Sequence, residues 1–308
     1  MKTILFFGLL IFITTPLSAQ FSIEEIKNDH IAIKYDGQYL ARLETKNDKA
    51  NDEKALETYK VYMSISNPFN PGKNITKQAG HKFPHHRGIY IGWKKTIIAN
   101  DGNYDTWHMK RGVRQEFSEI ISQESSKENA KLTVTINWVS SSDLILKEER
   151  SFVFYKPNAN KSFTLDKTSK IFAIKDDTKL MGDPEHAGCQ FRANEEVVNN
   201  KSAKYLFAEG ALNEKEVKKK SGLEWACINF ETQGQKFIVQ HMTHPSLKDN
   251  LIYSAYRNYG RFGSYMVKDI KKGESEEFKF RFYISPGQFN ESTVNECKER
   301  YAEFLKNI

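Results

Sequence analysis

Lys131–Tyr155 reads KLTVTINWVSSSDLILKEERSFVFY. Lys131–Val139 alternates apolar and polar residues with a period of two, which is the pattern of a half-buried β-strand. Leu144–Tyr155 reads as two half-strands, and Phe163–Ile174 follows as a plausible partner. The same pattern extends in both directions. Ile31–Tyr35 and Gln38–Leu43 flank Asp36-Gly37, a hairpin turn signal. Tyr59–Ser66, Leu223–Phe230, Lys236–His241, Leu251–Tyr256 and Glu277–Ile284 read as further strands. Asn47–Lys54 reads as a polar loop and Phe69-Asn70-Pro71-Gly72 as a turn. Only Glu291–Asn307 has helical spacing, with Val294, Cys297, Tyr301 and Leu305 on one side. The expected fold is all-β, a large antiparallel sandwich closed by a C-terminal α-helix.

The first nineteen residues have a different character. Lys2 precedes an apolar run, Ile4–Thr14, and Pro16-Leu17-Ser18-Ala19 supplies small residues. This is a secretory signal peptide, with cleavage expected after Ala19. The run is short for a membrane span of about 20 residues, and no later stretch is apolar enough to serve as an anchor. Residues 20–308 are then one β-sandwich domain, periplasmic or secreted.

Composition narrows the partners. The formal charge is +7, and Lys2 contributes one of those units. An exported basic chain suits an anionic polysaccharide better than nucleic acid. The run Lys215–Lys220 reads as a solvated face. Cys189, Cys227 and Cys297 are odd in number, so buried free thiols are expected, although one pair could form. No Cys/His zinc spacing is present, and no cofactor is expected. Aromatic residues make up 13% of the chain, which suits both a β core and sugar-stacking surfaces.

The chemistry-bearing residues are concentrated. His81–His108, HKFPHHRGIYIGWKKTIIANDGNYDTWH, holds four of the eight histidines. Its Gly88–Trp93 reads as a strand fed by the loop Pro84–Arg87, and Asp101-Gly102-Asn103 reads as a turn. Gly182–Arg192, GDPEHAGCQFR, is a polar loop leading into a strand with Gln190 and Arg192 on one face. His241–Pro245 is followed by Tyr256, Arg257 and Tyr259–Gly263. All histidines but His30 fall in these three clusters, and each cluster includes an arginine, so one shared site is expected.

Five segments, His85–Trp93 (HHRGIYIGW), Asn103–Met109 (NYDTWHM), Leu146–Tyr155 (LKEERSFVFY), Gly182–Ala193 (GDPEHAGCQFRA) and HMTHPS with YRNYGRFG, together resemble the PmoA-like family of bacterial β-sandwich domains. The resemblance runs from about His81 to Gly287. It implies a supersandwich-like fold similar to those of sugar mutarotases and polysaccharide lyases, and a place in sugar catabolism. The chain looks like a marine polysaccharide-degrading protein and is similar to a dehydratase acting on uronate-terminated ulvan oligosaccharides. That resemblance implies a lyase or dehydratase.

Elimination across C4 and C5 of a uronate needs a base for the C5 proton, an acid for the departing oxygen, and a cation to stabilise the enolate-like carboxylate. His86, His108 and His186 are candidate bases, and Tyr104 and Tyr256 candidate acids. Arg87, Arg192 and Arg257 match a carboxylate or sulfate. Trp93 and Trp107 offer faces for a sugar, and His85, Gln190, His241 and His244 complete the binding set. Three rivals use the same residues. A carbohydrate-binding protein needs the aromatics and arginines without the histidines. A metal-dependent enzyme could draw on His85, His86, Glu185, His186 and His241. A glycoside hydrolase could use Asp105, Asp183 or Glu185.

Overall fold

The computed structural model describes residues 20–48 and 52–306. The segment read as a signal peptide, residues 1–19, lies outside the described residues.

Asn129–Ser140 and Asp143–Tyr155 form an antiparallel hairpin with Thr133 opposite Ser151. Phe163–Phe172 joins next, then Ser275–Pro286, Gln235–Thr243, Trp225–Thr232 and Lys204–Leu206; Val113–Ser125 closes the opposite edge of this eight-stranded sheet. Phe163–Phe172 alternates buried and half-buried residues without a break. Asp143–Tyr155 is one continuous strand, not two half-strands. Within it, Glu148 and Arg150 form an ion pair inside the core. Arg150 Nε and Nη2 donate to Glu148 at 2.7 and 2.8 Å, Trp138 Nε1 donates to the same carboxylate at 2.8 Å, and all three side chains are fully buried.

The second large sheet runs Phe21–Ile26, His30–Tyr35, Gln38–Glu44, Tyr62–Asn67, Ile89–Trp93, Ala187–Arg192, Arg261–Tyr265 and Ile252–Tyr253, with Asn70–Asn74 paired beside Tyr62–Asn67. The hairpin at Asp36-Gly37 forms as read, both residues taking positive φ, 50° and 73°. The turn read over Phe69–Gly72 sits at Pro68-Phe69, with Pro71 and Gly72 in a short strand. The turn at Asp101–Asn103 ends at Asp101, because Gly102–Tyr104 adds a strand to a small third sheet with Lys95–Ile98, Thr178–Met181 and Lys268–Ile270. Of Leu251–Tyr256 only Ile252–Tyr253 is a strand. The polar stretch 47–54 runs partly outside the described residues and passes into a helix, Asp52–Thr58. Within Lys215–Lys220, five residues belong to the short helix Glu214–Lys219, whose first turn is capped by Asn213 and Glu216.

The two large sheets bury one continuous apolar layer between them. Trp93 meets Trp138 and Phe278 at ring separations of 6.2 and 5.3 Å, and Phe191 meets Phe230 at 5.9 Å. The C-terminal helix Thr293–Lys306 packs Cys297, Tyr301 and Phe304 onto Trp225, Cys227 and Met242. Leu305, read as part of that stripe, is exposed. At about 100° per residue it falls well off the line that Phe304 continues. All three cysteines are free and buried. No helix among the described residues is long and apolar enough to cross a membrane.

The strands Tyr62–Asn67, Ile89–Trp93 and Ala187–Arg192 are buried at every residue. Alternation sends Ile89, Ile91, Trp93, Cys189 and Phe191 into the core, so Tyr90, Gln190 and Arg192 face the other way. Loops cover that outer face. Their closeness explains Gly92, where a Cβ would lie 2.4 Å from the Thr106 carbonyl; at Gly88 it is the neighbouring strand that is close, a Cβ there lying 2.1 Å from the Met63 carbonyl. Thr106 Oγ1 both accepts from Trp93 N at 3.1 Å and donates to Trp93 O at 2.9 Å, clamping the loop 105–109 to the strand.

Candidate functional site

Four histidines from three segments meet over that outer face. The rings of His85 and His108 are 4.5 Å apart, those of His108 and His186 are 5.2 Å apart, and His85 and His86 lie edge to face at 4.1 Å. Trp107 stands 6.1 Å from His86 and 6.0 Å from His186. The row therefore joins two of the polar clusters seen in the sequence, the one around His81–His108 and the one around Asp183–Arg192.

One local device holds the two outermost rings. Asp105-Thr106-Trp107-His108 and Asp183-Pro184-Glu185-His186 share the spacing Asp-x-x-His. In each, the carboxylate accepts from the imidazole Nδ1, at 2.8 Å for His108 and 2.6 Å for His186, and from a backbone N–H two residues on, Trp107 at 3.2 Å and Glu185 at 3.1 Å. An Asp turn of this kind fixes its own loop. It also places the proton on Nδ1, which leaves the Nε2 lone pair of each ring to face other groups. Burial opposes ionisation of both aspartates, but these bonds hold their carboxyl groups below the usual carboxylate range.

Beneath this row lies a buried layer. Lys60 is fully enclosed and donates to the backbone carbonyls of His85 at 3.1 Å and Trp107 at 2.8 Å, with its Nζ 4.5 Å from the Tyr90 ring centre. One amine thus ties together the two loops that carry His85 and His108, and burial pushes its pKa well below the ordinary lysine value. His86 is buried between Phe83, Tyr90 and Tyr259. His86 Nδ1, Tyr90 Oη and Trp107 Nε1 are buried without a hydrogen-bond partner among the described residues. Such an atom costs about 1–3 kcal/mol, so three in one place mark a region not arranged for stability alone.

Burial keeps three of these rings, His85, His86 and His186, neutral. Burial, reinforced by Lys60, pushes His85 down to about 2. Burial and the Arg261 cation push His86 well below the ordinary imidazole value. Burial lowers His186 too, and Asp183 restores part of the loss. At neutral pH these imidazoles are proton acceptors.

The rim on the far side is built on Glu185. Its carboxylate accepts from Tyr256 Oη at 2.5 Å and from Arg257 Nη2, and its backbone carbonyl accepts from Arg261 Nη1 at 2.7 Å. Burial and the Glu185 bond raise the Tyr256 phenol above its usual value. Arg257 and Glu185 are each about 28% exposed along the side chain, so this pair opens to solvent.

Other residues expected here stand elsewhere. Arg87 is fully buried, and its fork donates to the carbonyls of Pro84, Glu57 and Leu56, tying the histidine loop to the helix Asp52–Thr58. It has no free face for a carboxylate. Arg192 is enclosed as well, bonded to the Ala193 and Tyr259 carbonyls and to Glu195. Gln190 lies under the site, its amide near the Ala187 and Ser264 carbonyls. Trp93 is in the sandwich core with Nε1 on Met266 O, so it offers no surface to a sugar. His241 belongs to the other sheet, stacked on Phe282 at 4.5 Å. His244 sits against Phe304 of the terminal helix and bonds Ser246. The cluster His241–Pro245 therefore does not join the site. Tyr104 donates to Asp101 at 2.7 Å, which with burial pushes its phenol up to about 12.

Lys60 was not among the residues expected from sequence, and Tyr90 and Tyr259 were read only as members of the polar clusters, with no role assigned. A lone lysine in a connecting segment, as Lys60 is, carries no local signal. Asp105 and Asp183 were read only as glycoside-hydrolase carboxylates; the repeated Asp-x-x-His spacing is the signal that could have marked them as partners of His108 and His186. Among the described residues, no group of three or more His, Cys, Asp or Glu side chains is placed to hold a metal ion.

No curated protein matches the sequence. Among solved structures, the chain is similar to a heparan sulfate lyase mutant from Pedobacter heparinus at 10% identity and a TM-score of 0.41, covering 89% of this chain and 36% of that one. It is similar to an α-galactosidase from Lactobacillus brevis at 8% identity and a TM-score of 0.42, covering 92% and 40%. A GalM/aldose epimerase homologue from C. elegans gives 7% identity and a TM-score of 0.35, covering 88% of this chain and all of that one. The chain thus spans well under half the length of the first two. The profile of a family of unknown function, DUF6807, matches residues 30–298, and the chain belongs to that family.

Proposed function

We propose that the histidine row is the active site of a carbon–oxygen lyase. The reaction is elimination across C4–C5 of a uronic acid in an anionic, sulfated oligosaccharide such as those from ulvan, with water or a sugar as the leaving group. The observation that carries this reading is the pair of Asp-oriented imidazoles beside a half-buried Tyr256–Glu185–Arg257 group. His186, neutral and with Nε2 free, takes the C5 proton. His108, oriented in the same way, is the alternative base. Tyr256 protonates the departing oxygen at C4. Arg257 exchanges Glu185 for the uronate carboxylate and stabilises its developing enolate charge. His85 lines the approach; Trp107 and His86 are both buried, so Trp107 offers no face to a sugar and the two support the row from below. The leader sequence supports a periplasmic or secreted location, where such oligosaccharides arise.

The test is ultraviolet absorbance of the purified chain with uronate-terminated sulfated oligosaccharides, with mass spectrometry of the products. Elimination creates a conjugated 4,5-unsaturated uronate and a rise in absorbance. Loss of one water at constant chain length identifies a dehydratase, and shorter products identify a polysaccharide lyase. Binding without any rise overturns the proposal in favour of a carbohydrate-binding role.

A further inference from the structure

A second pocket adjoins the site. It has a volume of about 380 Å³ and is lined by Lys94, Asn103, Tyr104, Lys110, Arg111 and Ser140. Asp105, which holds His108, forms part of the same wall. Lys94 forms an ion pair at 3.3 Å with Asp183, the carboxylate that holds His186. Both aspartates of the histidine row therefore border on or connect to this pocket.

Its charge is unbalanced. Three cations face one carboxylate, and that carboxylate already accepts from the His108 ring and from two backbone N–H groups. Lys110 and Arg111 are exposed and make no ion pair among the described residues. They sit in a tight turn. Met109, Arg111 and Gly112 all take left-handed conformations, with φ of 57°, 56° and 75°. Two of these are not glycine, so the turn is held in a conformation that L side chains rarely adopt. Asparagine, tyrosine and serine add uncharged hydrogen-bonding groups. Two free cations beside such groups, in a concave wall, match an oxyanion.

We infer that this pocket is a subsite for a second anionic group of the bound oligosaccharide, a sulfate ester or a carboxylate, held by Lys110 and Arg111 with Lys94 at its edge. The inference rests on the functional reading above, because it places the reacting uronate over the histidine row. The subsite makes the protein selective for chains carrying charge away from the reacting sugar.

The experiment is titration calorimetry with three matched uronate-terminated oligosaccharides: one with a remote sulfate ester, one with a remote carboxylate, and one with neither. The native chain and the Lys110→Ala/Arg111→Ala double variant are compared, with product absorbance recorded in parallel. The native chain is expected to bind one or both charged oligosaccharides at least tenfold more tightly than the uncharged one, and to lose that preference as salt rises. The double variant is expected to bind all three alike. Comparing ratios within one protein cancels any folding defect. No preference in the native chain, or the same preference in the variant, overturns the subsite. A preference that the variant abolishes, without turnover by either protein, upholds the subsite and overturns the elimination reading.

Discussion

Asp183 accepts a hydrogen bond from Nδ1 of His186 at 2.6 Å, three residues along the same loop. The same relationship recurs between Asp105 and His108 at 2.8 Å, on a different loop. Two copies of one local motif, brought ring to ring, are the central feature of this site. A carboxylate on Nδ1 fixes both the tautomer and the ring angle of a histidine that works through Nε2.

The Asp183→Asn variant separates that role from simple packing. The amide keeps the shape but removes the charge. Turnover is expected to fall at least tenfold with KM changed less than threefold. The carboxylate raises the proton affinity of His186 against the lowering by burial, so its loss moves the acidic limb of the pH profile to lower pH. A profile and kcat like those of the native chain would show that Asp183 only braces its loop.

His186→Ala removes the proposed base. A loss of at least a hundredfold in kcat is expected, with oligosaccharide affinity held within a few-fold. Because burial depresses His186 below 6.5, the native enzyme should keep its kcat/KM on the acidic side of that value and lose it at lower pH, as the base becomes protonated. His86→Ala has a different signature. His86 is enclosed by Phe83, Tyr90 and Tyr259, so the melting temperature is expected to fall along with kcat. Undiminished turnover in both variants would refute the roles assigned here.

Lys60→Met tests the buried tie between the two histidine loops. Met matches the length and apolar stem of Lys but leaves the His85 and Trp107 carbonyls without their donor. Each orphaned carbonyl costs about 1–3 kcal/mol, offset in part because no amine need be buried. A lower melting temperature is expected, together with a lower kcat at nearly unchanged KM, the sign of a positioning residue. An unchanged kcat would mean that the loops are held by other contacts.

His241→Phe probes acid stability away from the site. Both ring nitrogens of His241 are buried without partners, and burial with the Lys167 cation pushes it down to about 3. Its pKa is lower in the folded chain than in the unfolded one, so the unfolded chain takes up the proton first. Its contribution to stability is complete above about 6.5 and is lost as pH falls from there toward 3, at roughly 1.4 kcal/mol per unit. Phe stacks on Phe282 without titrating. The variant is expected to melt higher at pH 5 than the native chain, with a smaller difference at pH 7.5. An equal difference at both pH values would show that the histidine does not govern the acid sensitivity.

Much of the fold was legible locally. Period-two alternation marks Lys131–Val139, Phe163–Ile174 and Glu277–Ile284 as strands because the pleat alone decides which side chains are covered. Asp36-Gly37 is a hairpin turn because both residues tolerate positive φ. The same reasoning failed at Leu144–Tyr155, read as two half-strands but one continuous strand, with Lys147–Arg150 in its middle. Four charged residues look like a break, yet Glu148 and Arg150 neutralise each other inside the sandwich. Pairing across space overrides the local pattern there.

For the site, the sequence by itself determined the inventory: clustered histidines, nearby arginines and tyrosines, and the Asp-x-x-His spacing that orients two rings. The tertiary structure alone decided which members meet. Arg87 and Arg257 are the same residue type in similar company, yet one is walled in by carbonyls and the other opens to solvent beside Glu185. His186 joins His108 because Ala187 pairs with Trp93, and Thr106 clamps the loop 105–109 to that same Trp93. His241 lies in the opposite sheet and cannot reach them. The physical reason is that burial and strand register are properties of long-range pairing, which no window of local sequence contains.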